Sequence, residues 1–120
     1  MTLYTNMFGG LSAQQFLELY WQRRPLMVQG AFAGYASPLS ADELAGLSLE
    51  PEVESRMVLG SDPAGPWRLR QGPFSEADFR AMPDTAWTLL VQAVDLWVPD
   101  VKALLSNFSF LPKWRLDDVM

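Results

Sequence analysis

Histidine and cysteine are both missing from the 120 residues. Their absence excludes a zinc finger, an iron–sulfur cluster, a disulfide framework, a thiolate nucleophile, a Ser-His-Asp triad and an ordinary non-haem iron site built from these residues alone. A metal could be held only by carboxylates and carbonyls, the donors that suit magnesium or calcium. Serines such as Ser12 and Ser55 have no imidazole to activate them, which argues against nucleophilic catalysis. Lysine is scarce as well: Lys102 and Lys113 are the two examples among nine bases, which face fourteen acids for a net charge of −5. Counterion release on nucleic acid needs a surplus of bases on one face, so direct nucleic-acid binding is not expected. No apolar run approaches the roughly 20 residues that span a bilayer, and the N-terminus lacks the charged-then-apolar layout of a signal peptide. A cytoplasmic protein is the expectation, and the lack of cysteine agrees with it.

What is present suits one globular domain, with 49% hydrophobic and 12% aromatic residues. No internal repeat, low-complexity tract or linker interrupts residues 1–120, which are read as a single segment. Three helix starts use one device: a serine N-cap, a carboxylate or amide three residues later, and an apolar pair that can close over the first turn. They are Leu11-Ser12-Ala13-Gln14-Gln15-Phe16, Leu39-Ser40-Ala41-Asp42-Glu43-Leu44 and Phe74-Ser75-Glu76-Ala77-Asp78-Phe79. The first helix is expected to run to Arg23 or Arg24, because Pro25 disfavours helical geometry in the residue before it.

Strands are predicted at Pro25–Gln29, Val53–Leu59 and Trp67–Gln71, the last two forming a hairpin across the turn-rich stretch from Gly60 to Pro66. The apolar run Trp87–Trp97 is long enough for a buried strand or a helix, and its β-branched and aromatic content favours a strand. Pro99 and Asp100 then open a helix through Leu104, Leu105 and Phe108. The final residues, Pro112 to Met120, read as the opening of another apolar strand. The chain stops inside it, which predicts a truncated domain.

Chemistry is concentrated at the paired carboxylates Asp117 and Asp118, beside Trp114 and Arg115. Neighbours on a strand point to opposite faces, so the two cannot serve together as acid and base on one atom. Either both solvate a strand edge or pair with Arg115 or Lys113, or one lines a pocket and receives a cationic group such as a guanidinium. The acidic stretch Asp42, Glu43, Glu50, Glu52 and Glu54 reads as a solvated surface, and most of the five tryptophans as packing residues. Phe8-Gly9-Gly10-Leu11 lacks the spacing and the lysine of a phosphate loop.

Several stretches together resemble the N-terminal third of the bacterial cupin-like, JmjC-type ribosomal oxygenases: Gln22-Arg23-Arg24-Pro25, Asp42-Glu43-Leu44-Ala45-Gly46-Leu47, Glu52-Val53-Glu54-Ser55-Arg56, Gln71-Gly72-Pro73-Phe74, Trp87 to Val94 and Leu111 to Met120. The resemblance spans nearly the whole chain in consistent order. It implies an α+β fold, the N-terminal helix and strand layer of a JmjC/cupin double-stranded β-helix, truncated before the metal-binding strands. It further implies Fe(II)- and 2-oxoglutarate-dependent hydroxylation of an arginine of a large-subunit ribosomal protein. In that family a His-X-Asp pair and a distal histidine hold the iron. None of these lies within the 120 residues, so the isolated chain is expected to be inactive and to carry neither iron nor 2-oxoglutarate. The resemblance gives Asp118, and secondarily Asp117, a role in receiving the substrate arginine. An apolar sheet left uncovered predicts self-association. The competing expectation is a complete small protein-binding module that keeps the family's N-terminal layer without its catalysis.

Overall fold

The computed structural model describes residues 6–60 and 65–120. It contains four short α-helices and one three-stranded antiparallel sheet, and its contacts group the chain into two compact units. One unit comprises the described part of Met1–Ser37 together with Ala103–Asp117. The other comprises the described part of Pro38–Lys102 together with Asp118–Met120.

The first unit is organised around aromatic rings. Helix α1, Ala13–Leu19, starts at the Ser12 cap, where the hydroxyl accepts from the Gln15 N–H at 3.0 Å and the Gln15 side chain accepts from the Ser12 N–H at 2.8 Å. Phe16 of this helix stacks on Phe8 at 4.5 Å between centroids, and Phe110 meets both rings edge-on. The helix ends at Leu19, short of the expected Arg23 or Arg24. The Trp21 N–H reaches back five residues to the Phe16 carbonyl, and Gln22 takes a left-handed φ of 59°, which a continuing helix cannot accommodate. The expected strand at Pro25–Gln29 is absent. Residues 25–28 carry no regular structure, and no segment among the described residues pairs with them, so local β-propensity has no ladder to join.

The second unit holds the sheet, in the order β2-β1-β3, with β1 at Ser55–Leu59, β2 at Arg68–Gln71 and β3 at Trp87–Val91. The predicted hairpin is present, with Arg56 opposite Gln71 and Leu59 opposite Arg68. Residues 61–64 of its expected turn lie outside the described residues. Opposite each other across β1 and β3 are Ser55 and Val91, Met57 and Leu89, and Leu59 and Trp87. These residues share the packed face. Met57, Leu59 and Phe74 form one buried cluster, against which Phe79, Met82 and Trp87 pack. Val53, Val91, Val94 and Val101 form a second, covered by Leu44 and Leu47 of helix α2, Ala41–Leu47, among others. Arg56, Val58, Leu69, Gln71, Thr88 and Leu90 line the opposite face.

Helix α3, Glu76–Arg80, begins at the Ser75 cap, where Asp78 accepts from both the Ser75 N–H and the Ser75 hydroxyl. Asp78 also accepts from Arg70 of β2 at 2.8 Å, which ties the edge strand to the helix start. The Arg70 guanidinium, then the Ser75 N–H and hydroxyl, hold the Asp78 carboxyl below its ordinary value of 3.8. The long strand expected over Trp87–Trp97 stops at Val91. Ala93 adopts a left-handed φ of 54°, and Val94–Leu96 form a 3₁₀ turn. Helix α4, Pro99–Leu104, carries proline at its first position as expected and passes into a 3₁₀ turn over Leu105–Phe108.

The strand expected at the end of the chain is corrected as well. Lys113–Arg115 form a 3₁₀ turn, Leu116 is extended, and residues 116–120 join no sheet. The tryptophans depart from expectation too: Trp87 packs on the Met57 cluster, but Trp67 and Trp114 are each 77% exposed and Trp97 is 46% exposed. Trp67 stands next to edge strand β2, all four of whose residues are exposed, where no layer is available to bury an indole.

Candidate functional site

The most constrained polar arrangement forms where the chain leaves β3. The Gln92 N–H extends the ladder by one bond, to the Glu54 carbonyl at 2.9 Å, and the left-handed turn at Ala93 then swings the backbone out of the sheet plane. Because of that turn, residues on both sides of Ala93 face the segment Asp118–Met120. The Val94 N–H donates to the Val119 carbonyl at 2.9 Å, and the Val119 N–H donates to Asp95 Oδ1 at 2.8 Å. Gln92 Nε2 donates to both carboxylate oxygens of Asp118, at 3.0 Å to Oδ1 and 2.7 Å to Oδ2. Val119 packs against the valine cluster, so an apolar anchor and a polar clamp act on adjacent residues.

Asp118 is half-buried, and Asp95 is buried at 9% exposure. A carboxylate withdrawn from water must recover its lost hydration through hydrogen bonds. Bonds to charged groups contribute about 1.5–3 kcal/mol each, so the donors from Gln92 and Val119 are strong enough to hold both side chains in place. A shallow depression beside them is lined by Glu54, Ser55, Arg56, Leu90, Gln92 and Met120, and Arg56 Nη2 lies 3.5 Å from Met120 Sδ. The arrangement presents an oriented carboxylate, an amide and a guanidinium around the end of the sheet.

Of the two aspartates singled out from sequence, Asp118 belongs to this arrangement, whereas Asp117 is exposed. Sequence reasoning passed over Gln92 and Asp95. A usable signal existed, since both are polar residues set within the apolar run Trp87–Trp97, and a polar residue in a buried run calls for a partner. Asp42, Glu43, Glu50, Glu52 and Glu54 are all exposed, and Glu43 serves the Ser40 cap. Ser12 and Ser75 are caps. Ser55 is buried, and its hydroxyl has no hydrogen-bond partner among the described residues.

The first unit contains a separate open cavity of about 430 Å³, lined in part by Phe8, Phe16, Tyr20, Trp21 and Arg24. Arg24 lies over the Tyr20 ring at 4.3 Å and donates to the Leu19 carbonyl at 3.3 Å, so its guanidinium is engaged with its own helix end. Among the described residues, no group of three or more Asp or Glu side chains gathers to hold a metal ion. No helix among the described residues is long and apolar enough to cross a membrane.

No family model matches the chain. Ribosomal protein uL16 3-hydroxylase of Escherichia coli is 44% identical over 110 residues, covering 92% of this chain and 28% of that protein. A probable ribosomal oxygenase of Haemophilus influenzae is 31% identical over 111 residues, covering 92% of this chain and 27% of the relative. The solved structure of YcfD, a ribosomal oxygenase from Escherichia coli, superposes with a TM-score of 0.81 over 91% of this chain and 29% of its own. The same score and coverage hold for YcfD in complex with cobalt and 2-oxoglutarate. The chain thus spans between a quarter and a third of the length of the relatives it matches. In sequence and in fold, this chain resembles the N-terminal part of the bacterial ribosomal oxygenases.

Proposed function

We propose that this chain forms the N-terminal layer of an Fe(II)- and 2-oxoglutarate-dependent dioxygenase that hydroxylates an arginine of a large-subunit ribosomal protein. The likeness to the E. coli uL16 3-hydroxylase over 92% of the chain is the observation that carries the reading. In it the three-stranded sheet and its covering helices buttress a JmjC/cupin double-stranded β-helix, and the metal and cosubstrate are held by residues outside these 120. The solved complexes of the relative with cobalt and with 2-oxoglutarate support that choice of cofactors. A cytoplasmic location follows from a ribosomal protein as substrate.

Within this scheme Asp118, rather than the exposed Asp117, receives the substrate guanidinium. Its support is chemical: a half-buried carboxylate held by an amide suits a planar cation, and charge-assisted pairing of that kind is geometrically selective. Reading the genomic sequence past Met120 provides the test. Continuation in frame into a His-X-Asp motif is expected, and the longer polypeptide should then add one oxygen atom to an arginine of its ribosomal protein when supplied with Fe(II) and 2-oxoglutarate. An immediate stop codon, or a longer protein that leaves every ribosomal arginine unmodified, would remove the proposal. The histidine-free chain alone should show no turnover.

A further inference from the structure

We propose that Gln92 and Asp95 are positioning residues for Asp118, and that the left-handed turn at Ala93 between them is the device that lets Gln92 reach Asp118 and Asp95 reach Val119 beside it; the inference rests on the substrate role given to Asp118 above. Three observations meet here. Gln92 Nε2 lies 2.7 and 3.0 Å from the two Asp118 oxygens, so one amide spans the carboxylate and holds its end in place. Asp95 Oδ1 accepts the N–H of the next residue, Val119, at 2.8 Å, which fixes the backbone on which Asp118 is carried. The Val94 N–H closes the clamp on the Val119 carbonyl at 2.9 Å. Side chain and backbone are thus held separately, by residues that come from one short stretch of chain.

Such a clamp matters because residues 116–120 belong to no sheet. A strand would orient its side chains through its ladder, whereas this segment depends on contacts such as these. Pairing between a guanidinium and a carboxylate is directional, and an amide nitrogen that spans both oxygens occupies the head-on approach. A substrate guanidinium therefore meets Asp118 away from the direction that Gln92 occupies. Neither Gln92 nor Asp95 needs to touch the substrate for this to hold.

The test has two parts. In the 120-residue chain, amide hydrogen exchange read by NMR should show the Val119 N–H protected. Asp95→Ala should cost that amide about tenfold in protection, while Asp95→Asn, which keeps an acceptor oxygen, should restore it. A Val119 amide that exchanges equally fast with and without the Asp95 acceptor would overturn the clamp. In the longer enzyme, Gln92→Leu should raise the KM for an arginine-bearing peptide of the ribosomal substrate about tenfold and leave the KM for 2-oxoglutarate unmoved. In an Asp118→Asn background the same change should add nothing, because the effect runs through that carboxylate. Additive losses would reduce Gln92 to a general structural role, and a peptide KM that falls would make it a competitor of the substrate; either result defeats the proposal. If the unsubstituted enzyme hydroxylates no arginine, the functional reading and the substrate role fall together, and the exchange data alone still decide whether the clamp exists.

Discussion

Gly72 should be intolerant of even a methyl group, and the reason is spatial, since its φ is not among the positive ones. A Cβ built at this position runs into Ser55 Oγ, and it would also lie 3.2 Å from the Ser55 carbonyl and 3.3 Å from Phe74. The Ser55 carbonyl cannot retreat, because it accepts the Gly72 N–H at 2.8 Å and so belongs to the hairpin. Phe74 is equally confined within the Met57 cluster. Overpacking of this kind costs about 1–3 kcal/mol, and the reduced freedom of the unfolded chain on Gly→Ala returns about 0.4–1 kcal/mol. A net loss of about 1–2 kcal/mol is expected for Gly72→Ala. With a urea m-value of about 1.5 kcal/mol per M, the unfolding midpoint falls by about 1 M. Ser55→Ala removes the worst collision together with a buried hydroxyl that has no partner among the described residues, so alone it should stabilise by about 1 kcal/mol. Combined with Gly72→Ala it should recover more than the gain of about 1 kcal/mol it gives alone, because the collision is relieved as well. Strict additivity of the two substitutions in urea titrations monitored by circular dichroism would refute this account of the packing.

Ser75→Ala removes the cap of α3 and one partner of Asp78, and should cost about 1 kcal/mol in the same titration. The Asp78 carboxyl is held below 3.8 in the folded chain, so its stabilising contribution is complete above that value and disappears as pH falls through the lower, folded one; Asp78→Asn should flatten this acid limb of a stability–pH curve, and raised salt should weaken it. Ala93→Val should destabilise by about 1–2 kcal/mol, because a β-branched residue resists positive φ, whereas Ala93→Gly should be nearly neutral as relief of strain and added chain entropy cancel; thermal melts distinguish the two. If the function proposed above holds, Asp118→Asn in the longer polypeptide should raise the KM for the arginine-bearing peptide or lower turnover while iron binding is spared, and unchanged peptide kinetics would refute the role proposed for Asp118.

Helix starts were legible in the residues, and helix ends were not. Ser12, Ser40 and Ser75 each announce a start because the cap and its partner lie within four residues, and all three boxes close as expected. The end of α1 depends instead on a left-handed Gln22, a residue whose type gives no warning of that conformation. Val53–Leu59 and Trp67–Gln71 were readable as a hairpin because each strand has the other as its partner. Pro25–Gln29 has similar local character and no partner, and pairing is a property of the fold rather than of the segment. The break at Ala93 was hidden for the same reason as Gln22: alanine suits a strand or a helix, and only the packing of Val94 beside Val119 makes the turn worthwhile. At the candidate site, Asp118 was found through its charge and through family resemblance, while Gln92 and Asp95 were absorbed into an apolar run and overlooked.

Ala93 offers no functional group, yet its left-handed turn lies between the two side chains that hold Asp118 and the Val119 N–H. A mutational scan that scored only acids, bases and amides would pass over it, and a scan scored only on stability would file it with ordinary strained loop residues. Its mark would be different. Substitutions there should disturb the behaviour of a carboxylate twenty-five positions away in the chain while leaving that carboxylate in place, so that two residues of unrelated chemistry share one phenotype.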